Sequence, residues 1–161
     1  MSLDKLTRFE DFRIWQQARN IAKIIYEFTK REAWFRDYRF QGQARASAGS
    51  IMDNFAEGFE RGGNKEFSNF LSISKASAGE LKSQLYRALD QNYISKEEFE
   101  STYELLDQCI RQIGKLISYL NQSSFKGSKF NNRVSDPEVL YAKEIMKFPN
   151  EFLIAPHDES V

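Results

Sequence analysis

Four stretches of this chain carry apolar or small residues spaced alternately four and three apart, and no other feature restricts its fold as strongly. That spacing lines one face of an α-helix and gives each helix a buried side. Ile14, Ala18, Ile21, Ile25 and Phe28 form the first row, with Trp15, Ala22, Tyr26 and Thr29 beside it. Gln41, Ala44, Ala48, Ile51 and Phe55 form the second. The third is Phe67, Leu71, Ser74, Ala78, Leu81, Leu85 and Ala88. The fourth is Phe99, Tyr103, Leu106, Ile110, Ile113, Ile117 and Leu120.

The punctuation between the rows agrees with them. The first helix is expected over Glu10–Arg31, with acids at its start and bases at its end to complement the helix dipole. Glu32–Asp37 breaks the pattern as a turn, and the second helix follows over Tyr38–Glu60. Gly62-Gly63 stops it. Asn64 serves as N-cap of a third helix that ends near Asn92, a residue tolerant of the left-handed conformation. Ser95 and Glu98 make a capping box for the fourth, with Ile94 and Phe99 as its hydrophobic staple. A helix of some 23 residues spans roughly 35 Å, and four similar helices with short connections make an antiparallel up-and-down bundle. The expected fold is therefore all-α: a four-helix bundle over residues 9–122 and an irregular C-terminal tail over 123–161. Within the tail, Asp136-Pro137-Glu138 can cap a short helix reaching about Lys147, and Phe148–Pro156 reads as extended. Its many aromatic residues imply docking on the bundle or on a neighbouring subunit.

Charge and composition limit the functions open to such a bundle. Phe9 to Gln122 holds 16 basic and 16 acidic residues, and Ser123 to Val161 holds 5 and 6. No region has the strong basic excess that marks most nucleic-acid binders. The single cysteine, Cys109, permits no disulfide within the chain, which fits a reducing compartment. No apolar run is long enough to span a membrane, and Met1–Phe12 has no apolar signal-peptide core. A cytoplasmic location is expected.

Catalytic groups are sparse. Di-metal sites in bundles draw on Glu-x-x-His pairs, and the one histidine, His157, lies in the tail. Cys109 reads as a small buried hydrophobe. Asp53, Glu57 and Glu60 share a helical face and read as a solvated row. No enzyme activity, metal or cofactor is expected. Arg45, Arg61, Lys65, Lys75 and Lys82 are the candidate nucleic-acid contacts, because Lys75 and Lys82 share a face and Arg61 and Lys65 flank the adjoining turn. Asn54, Gly58, Ala44 and Ala48 are the candidates for close packing or a subunit interface. Gly49 also falls mid-helix, where glycine is about 1 kcal/mol worse than alanine, so close packing is expected there too.

Three motifs in this order, Phe9-Glu-Asp-Phe-Arg-Ile-Trp-Gln-Gln-Ala18, Asn54-Phe-Ala-Glu-Gly58 and Lys65-Glu-Phe67, resemble those of the "four helix bundle protein" family. Its members are reading frames within intervening sequences of bacterial large-subunit (23S) ribosomal RNA genes. The Avd accessory protein of diversity-generating retroelements is a relative. The resemblance covers roughly Phe9 to Asn121. It implies a homopentameric barrel of bundles and, by way of Avd, contact with a reverse transcriptase and nucleic acid. This chain lacks the proline that often precedes the Asn-x-Ala-Glu-Gly motif and is neutral where Avd is basic. The leading expectation is thus a non-enzymatic, oligomeric interaction module. The alternative is a nucleic-acid-binding accessory protein.

Overall fold

The computed structural model describes residues 8–122 and 148–154. Four long helices build the fold: α1 (Arg13–Thr29), α3 (Tyr38–Glu60), α4 (Asn64–Asp90) and α5 (Lys96–Gln122). A short helix, α2 (Glu32–Phe35), sits between the first two. Contacts run α1 to α3, α3 to α4, α4 to α5 and α5 back to α1, so the four close a ring around one core. Among the described residues no helix is long and apolar enough to cross a membrane. The expected helix at 136–147 and His157 lie outside the described residues.

The main rows expected for α1, α3 and α4 are buried throughout. In the row beside that of α1, Ala22 and Thr29 are buried, Trp15 is half-buried and Tyr26 is exposed. The row of α5 is displaced. Thr102, Leu106, Cys109, Ile113, Leu116 and Leu120 face the core, whereas Phe99, Tyr103, Ile110 and Ile117 are only partly buried. Two apolar columns run side by side on this helix, and periodicity cannot choose between them. The smaller Thr102 and Cys109 point inward, and the Phe99 and Tyr103 rings pack against Tyr86 of α4 at the seam.

The first helix also begins later than expected. Phe9–Asp11 forms a 3-10 turn, and Phe12 has extended backbone angles (φ −85°, ψ 130°) before α1 starts at Arg13. The Phe12 ring explains the break. It is fully buried, and its centroid lies 5.2 Å from Phe55, 5.6 Å from Phe59, 6.3 Å from Phe67 and 5.2 Å from Phe148. Edge-on pairs of this kind add about 0.5–1.5 kcal/mol each beyond burial.

The connection Glu32–Asp37 is more ordered than a plain turn. Trp34, on α2, is completely buried and stacks on Phe40 at 5.1 Å and Tyr93 at 5.6 Å. At the next connection Gly62 takes φ +73°, a conformation that favours glycine. Gly63, not Asn64, is the N-cap of α4; Asn64 is its first helical residue and is buried. Between α4 and α5, Asn92 has φ 59°. Its N–H donates to Leu89 O (2.9 Å) and that of Tyr93 to Ala88 O (2.9 Å), the paired bonds of a Schellman ending. The tail segment expected to be extended contains a 3-10 turn, Asn150–Phe152, before Leu153 pairs with Phe12 in an antiparallel bridge.

The capping box at α5 forms as expected: Ser95 N–H donates to Glu98 Oε2 (2.9 Å) and Glu98 N–H to Ser95 Oγ (3.1 Å). The same carboxylate accepts both guanidinium arms of Arg31 at 2.8 and 2.6 Å, which ties the end of α1 to the start of α5. The Arg31 hydrogen bond first, and the Ser95 N–H second, hold the Glu98 carboxyl down at about 2 against an ordinary 4.5. A depressed carboxylate stabilises the fold above its unfolded-state value and loses that contribution as the folded form is protonated. Glu98→Gln, which keeps an acceptor for the Ser95 N–H, is therefore expected to cost about 1 kcal/mol at neutral pH from the lost bidentate ion pair with Arg31. Urea melts of the two proteins should converge as pH falls from about 4.5 to about 2. A pH-independent difference would show that Glu98 acts through shape alone.

Candidate interaction surface

The contact between α3 and α4 is built from small residues, glycine and serine. A Cβ placed on Gly58 would lie 2.5 Å from Phe70 Cβ and 3.1 Å from Phe67 Cδ2. No side chain fits there, so Gly58 sets how near the two helices come. One to two turns earlier, hydroxyls bridge the helices. Ser74 Oγ donates to Ile51 O at 2.6 Å, and Ser50 Oγ lies 2.8 Å from Ser77 Oγ. Asn54 Nδ2 donates to Ser50 O (2.8 Å) and Ser50 Oγ (2.9 Å), which links the amide to this ladder. Ala44 and Ala48 are fully buried in the core. All four residues proposed for packing or a subunit interface thus have partners or burial within one chain.

The outer faces of α3 and α4 carry a second small-residue row that the sequence reading did not separate from the first. On α3 it is Gly42, Ala46 and Gly49; on α4 it is Ser72, Ala76, Gly79 and Ser83. All are exposed except Gly49, which is half-buried. A Cβ at Gly42 or Gly79 would meet nothing within 4 Å, and one at Gly49 only Asp53 Oδ2 at 3.7 Å. The close packing expected at Gly49 is therefore absent within the chain. Ile73, 48% exposed, and Tyr86, 50% exposed, lie on opposite flanks of the α4 row, and Tyr86 packs on Phe99 and Tyr103 of α5. The signal was present in the spacing of 72, 76, 79 and 83, but residues without apolar bulk do not register in a search for a core-facing row.

The basic residues do not converge. Arg45 lies in the groove between α1 and α3, where its Nε donates to Thr29 Oγ1 (2.8 Å) and its guanidinium covers the Tyr26 ring. Lys82 lies between α4 and α5, bound to Asp107 at 2.6 Å and set over Tyr103. The hydrogen bond to Asp107 raises the Lys82 pKa. Arg61 is bound to Glu57 at 2.7 Å, and that bond raises its pKa. Lys65 and Lys75 are exposed. Arg45 and Lys82 thus occupy different seams, and two of the five cations have their charge met by an acid.

Among the described residues no group of three or more His, Cys, Asp or Glu side chains could hold a metal ion. Cys109 has no exposed surface, and burial pushes its thiol up to about 12. The thiolate is the reactive form, so a thiol reagent such as DTNB should leave the folded protein unmodified at pH 8 and label one thiol per chain after denaturation. Rapid native labelling would place Cys109 in an open site. Two of the three glycines of α3, Gly58 and Gly49, should respond oppositely to substitution. Gly58→Ala forces Phe70 or the α4 backbone to move and should destabilise by about 1–3 kcal/mol. Gly49→Ala meets an ordinary contact and should stabilise the isolated chain by about 0.5–1 kcal/mol. Chemical denaturation midpoints check both.

A search among curated proteins finds no match. The profile of the 23S rRNA-intervening sequence protein family matches residues 10–115, nearly the whole bundle and about two thirds of the chain. The chain therefore belongs to the 23S rRNA-intervening sequence protein family.

Proposed function

We propose that this protein is a non-enzymatic interaction module that works in the cytoplasm and assembles with copies of itself through the outer faces of α3 and α4. The observation that carries the reading is the open space at Gly42 and Gly79. Each weakens a helix by about 1 kcal/mol relative to alanine, and neither gives a close approach within the chain in return. Small residues on a helix face allow a second helix backbone to come near, as Gly58 does for α4 inside the bundle. Exposed Ile73 and Tyr86 flank the α4 row, one on each side, and add apolar area at its edges. The family resemblance supports a ring of five copies.

Nucleic-acid binding is the weaker reading. Its proposed cations are divided between seams, and Lys82 and Arg61 are held by Asp107 and Glu57.

Light scattering on a sizing column tests the assembly. Several times the 18.8 kDa chain mass is expected. Ala46→Arg with Ala76→Arg should reduce it to one chain while the circular dichroism spectrum stays helical, because both side chains face outward. A wild-type mass of one chain at micromolar concentration would sink the proposal.

A further inference from the structure

Three cations line the side of the bundle formed by α1 and α3. Arg19, Lys23 and Tyr26 are spaced four and three apart and share one face of α1. Tyr26 sets that face beside α3, because the Arg45 guanidinium covers its ring at 4.7 Å. Arg45 is held from behind: its Nε donates to the hydroxyl of fully buried Thr29 at 2.8 Å. Among the described residues, Arg19, Lys23 and Arg45 form no ion pair with a carboxylate. Gly42 and Gly49 lie one turn to either side of Arg45, and a Cβ on Gly42 would meet nothing within 4 Å. Another backbone can therefore come up to the guanidinium.

The opposite charge stands on α5. Residues 96–107 hold five acids and one base, Lys96. Arg31 binds Glu98 and Lys82 binds Asp107. Glu97, Glu100 and Glu104 follow one another at three and four along an exposed row. Lys96 stands 3.9 Å from Glu100 and Arg111 3.3 Å from Glu104, while Glu97 forms no ion pair among the described residues. Asp107, the next acid along the helix, reaches Lys82 of α4, so the row lies toward the α4 side of α5. The helices close in the order α1, α3, α4, α5, which puts the α4/α5 side opposite the α1/α3 side. One chain cannot bring its own two rows together, whereas two copies can.

We propose that copies of this chain join head to tail, with Arg19, Lys23 and Arg45 of one copy receiving the Glu97, Glu100 and Glu104 row of the next. The contact rests on the self-assembly reading and says which surface of the neighbour is met: the α3 row of one copy faces the α4/α5 side of another, and like does not meet like. Charge complementarity selects this pairing, because two cationic rows or two acidic rows set against each other repel. Joining two different surfaces leaves one of each free at the ends, so copies add until the rotation between them closes a ring.

Charge reversal tests the pairing in the full chain. One variant carries Arg19→Glu with Lys23→Glu, the other Glu97→Lys with Glu100→Lys; all four side chains are exposed, so circular dichroism should stay helical. Light scattering over a dilution series should show each variant assembling about tenfold more weakly than the wild type. Mixing the two variants, or placing all four changes in one chain, should restore assembly. Cross-linking gives a second readout that leaves most of the charge in place. A chain with Lys23→Cys and Glu100→Cys, treated with a short bis-maleimide, should give a ladder of multimers. Either cysteine alone should give none, and Cys109 is buried and silent. A wild type with the mass of one chain would overturn the self-assembly reading and this contact with it. A wild type that assembles would overturn the head-to-tail contact alone if both reversals leave its mass unchanged, if the mixture fails to reassemble, or if Lys23→Cys cross-links to itself.

Discussion

The distance between α3 and α4 is fixed by the absence of one side chain, and much of the molecule is arranged around it. Gly58 lets the Phe70 and Phe67 side chains lie against the α3 backbone. Phe67 then stands 5.2 Å from Phe55 and 5.9 Å from Phe59, and the three rings form a wall that Phe12 closes. A methyl group at position 58 would push the two helices apart at the point where four phenylalanines converge. Interiors packed near crystal density have little slack to absorb such a shift.

The same contact divides the bundle into two kinds of seam. Where α3 meets α4, glycine and serine allow close approach, and hydroxyl bonds such as Ser74 to the Ile51 carbonyl hold the helices together. Where α5 meets its neighbours, polar side chains cross the seams instead. Lys82 reaches Asp107 at 2.6 Å, Ser68 bonds Asn121 at 3.0 Å, and Gln17 Nε2 reaches Leu105 O at 3.3 Å. Small residues therefore concentrate on α3 and α4 on their inner contact and again on their outer faces. The inner set is accounted for by one chain. The outer set becomes intelligible when another helix covers it, and that is why the functional reading rests there.

The C-terminal segment completes the picture from the opposite direction. Fourteen phenylalanines are many for a chain of 161 residues, and the bundle takes up several of them at one end. Phe148 and Phe152 extend that ring cluster beyond the helices. The 3-10 turn at Phe9–Asp11 and the extended backbone at Phe12 leave Asp11 O free to accept from Ile154. The late start of α1 and the docking of the tail are thus two sides of one arrangement.

The sequence by itself determined the four long helices, the short connections, the main buried rows of α1, α3 and α4, the capping box at Ser95 and the left-handed stops at Gly62 and Asn92. These features are local or periodic, so each is legible from a few neighbouring residues. Tertiary structure alone decided the rest. It chose between the two apolar columns of α5, because only the neighbouring helices determine which column has room inside. It buried Trp34 in a connection that reads as a turn, because its stacking partners, Phe40 and Tyr93, lie on other elements. It placed Gly58 against Phe70 and left Gly42 and Gly79 uncovered, a distinction invisible in sequence, since a glycine's role depends on what stands where its side chain would be. It also divided the basic residues between separate seams, because charges one or two turns apart on a helix reveal nothing of the acids that face them.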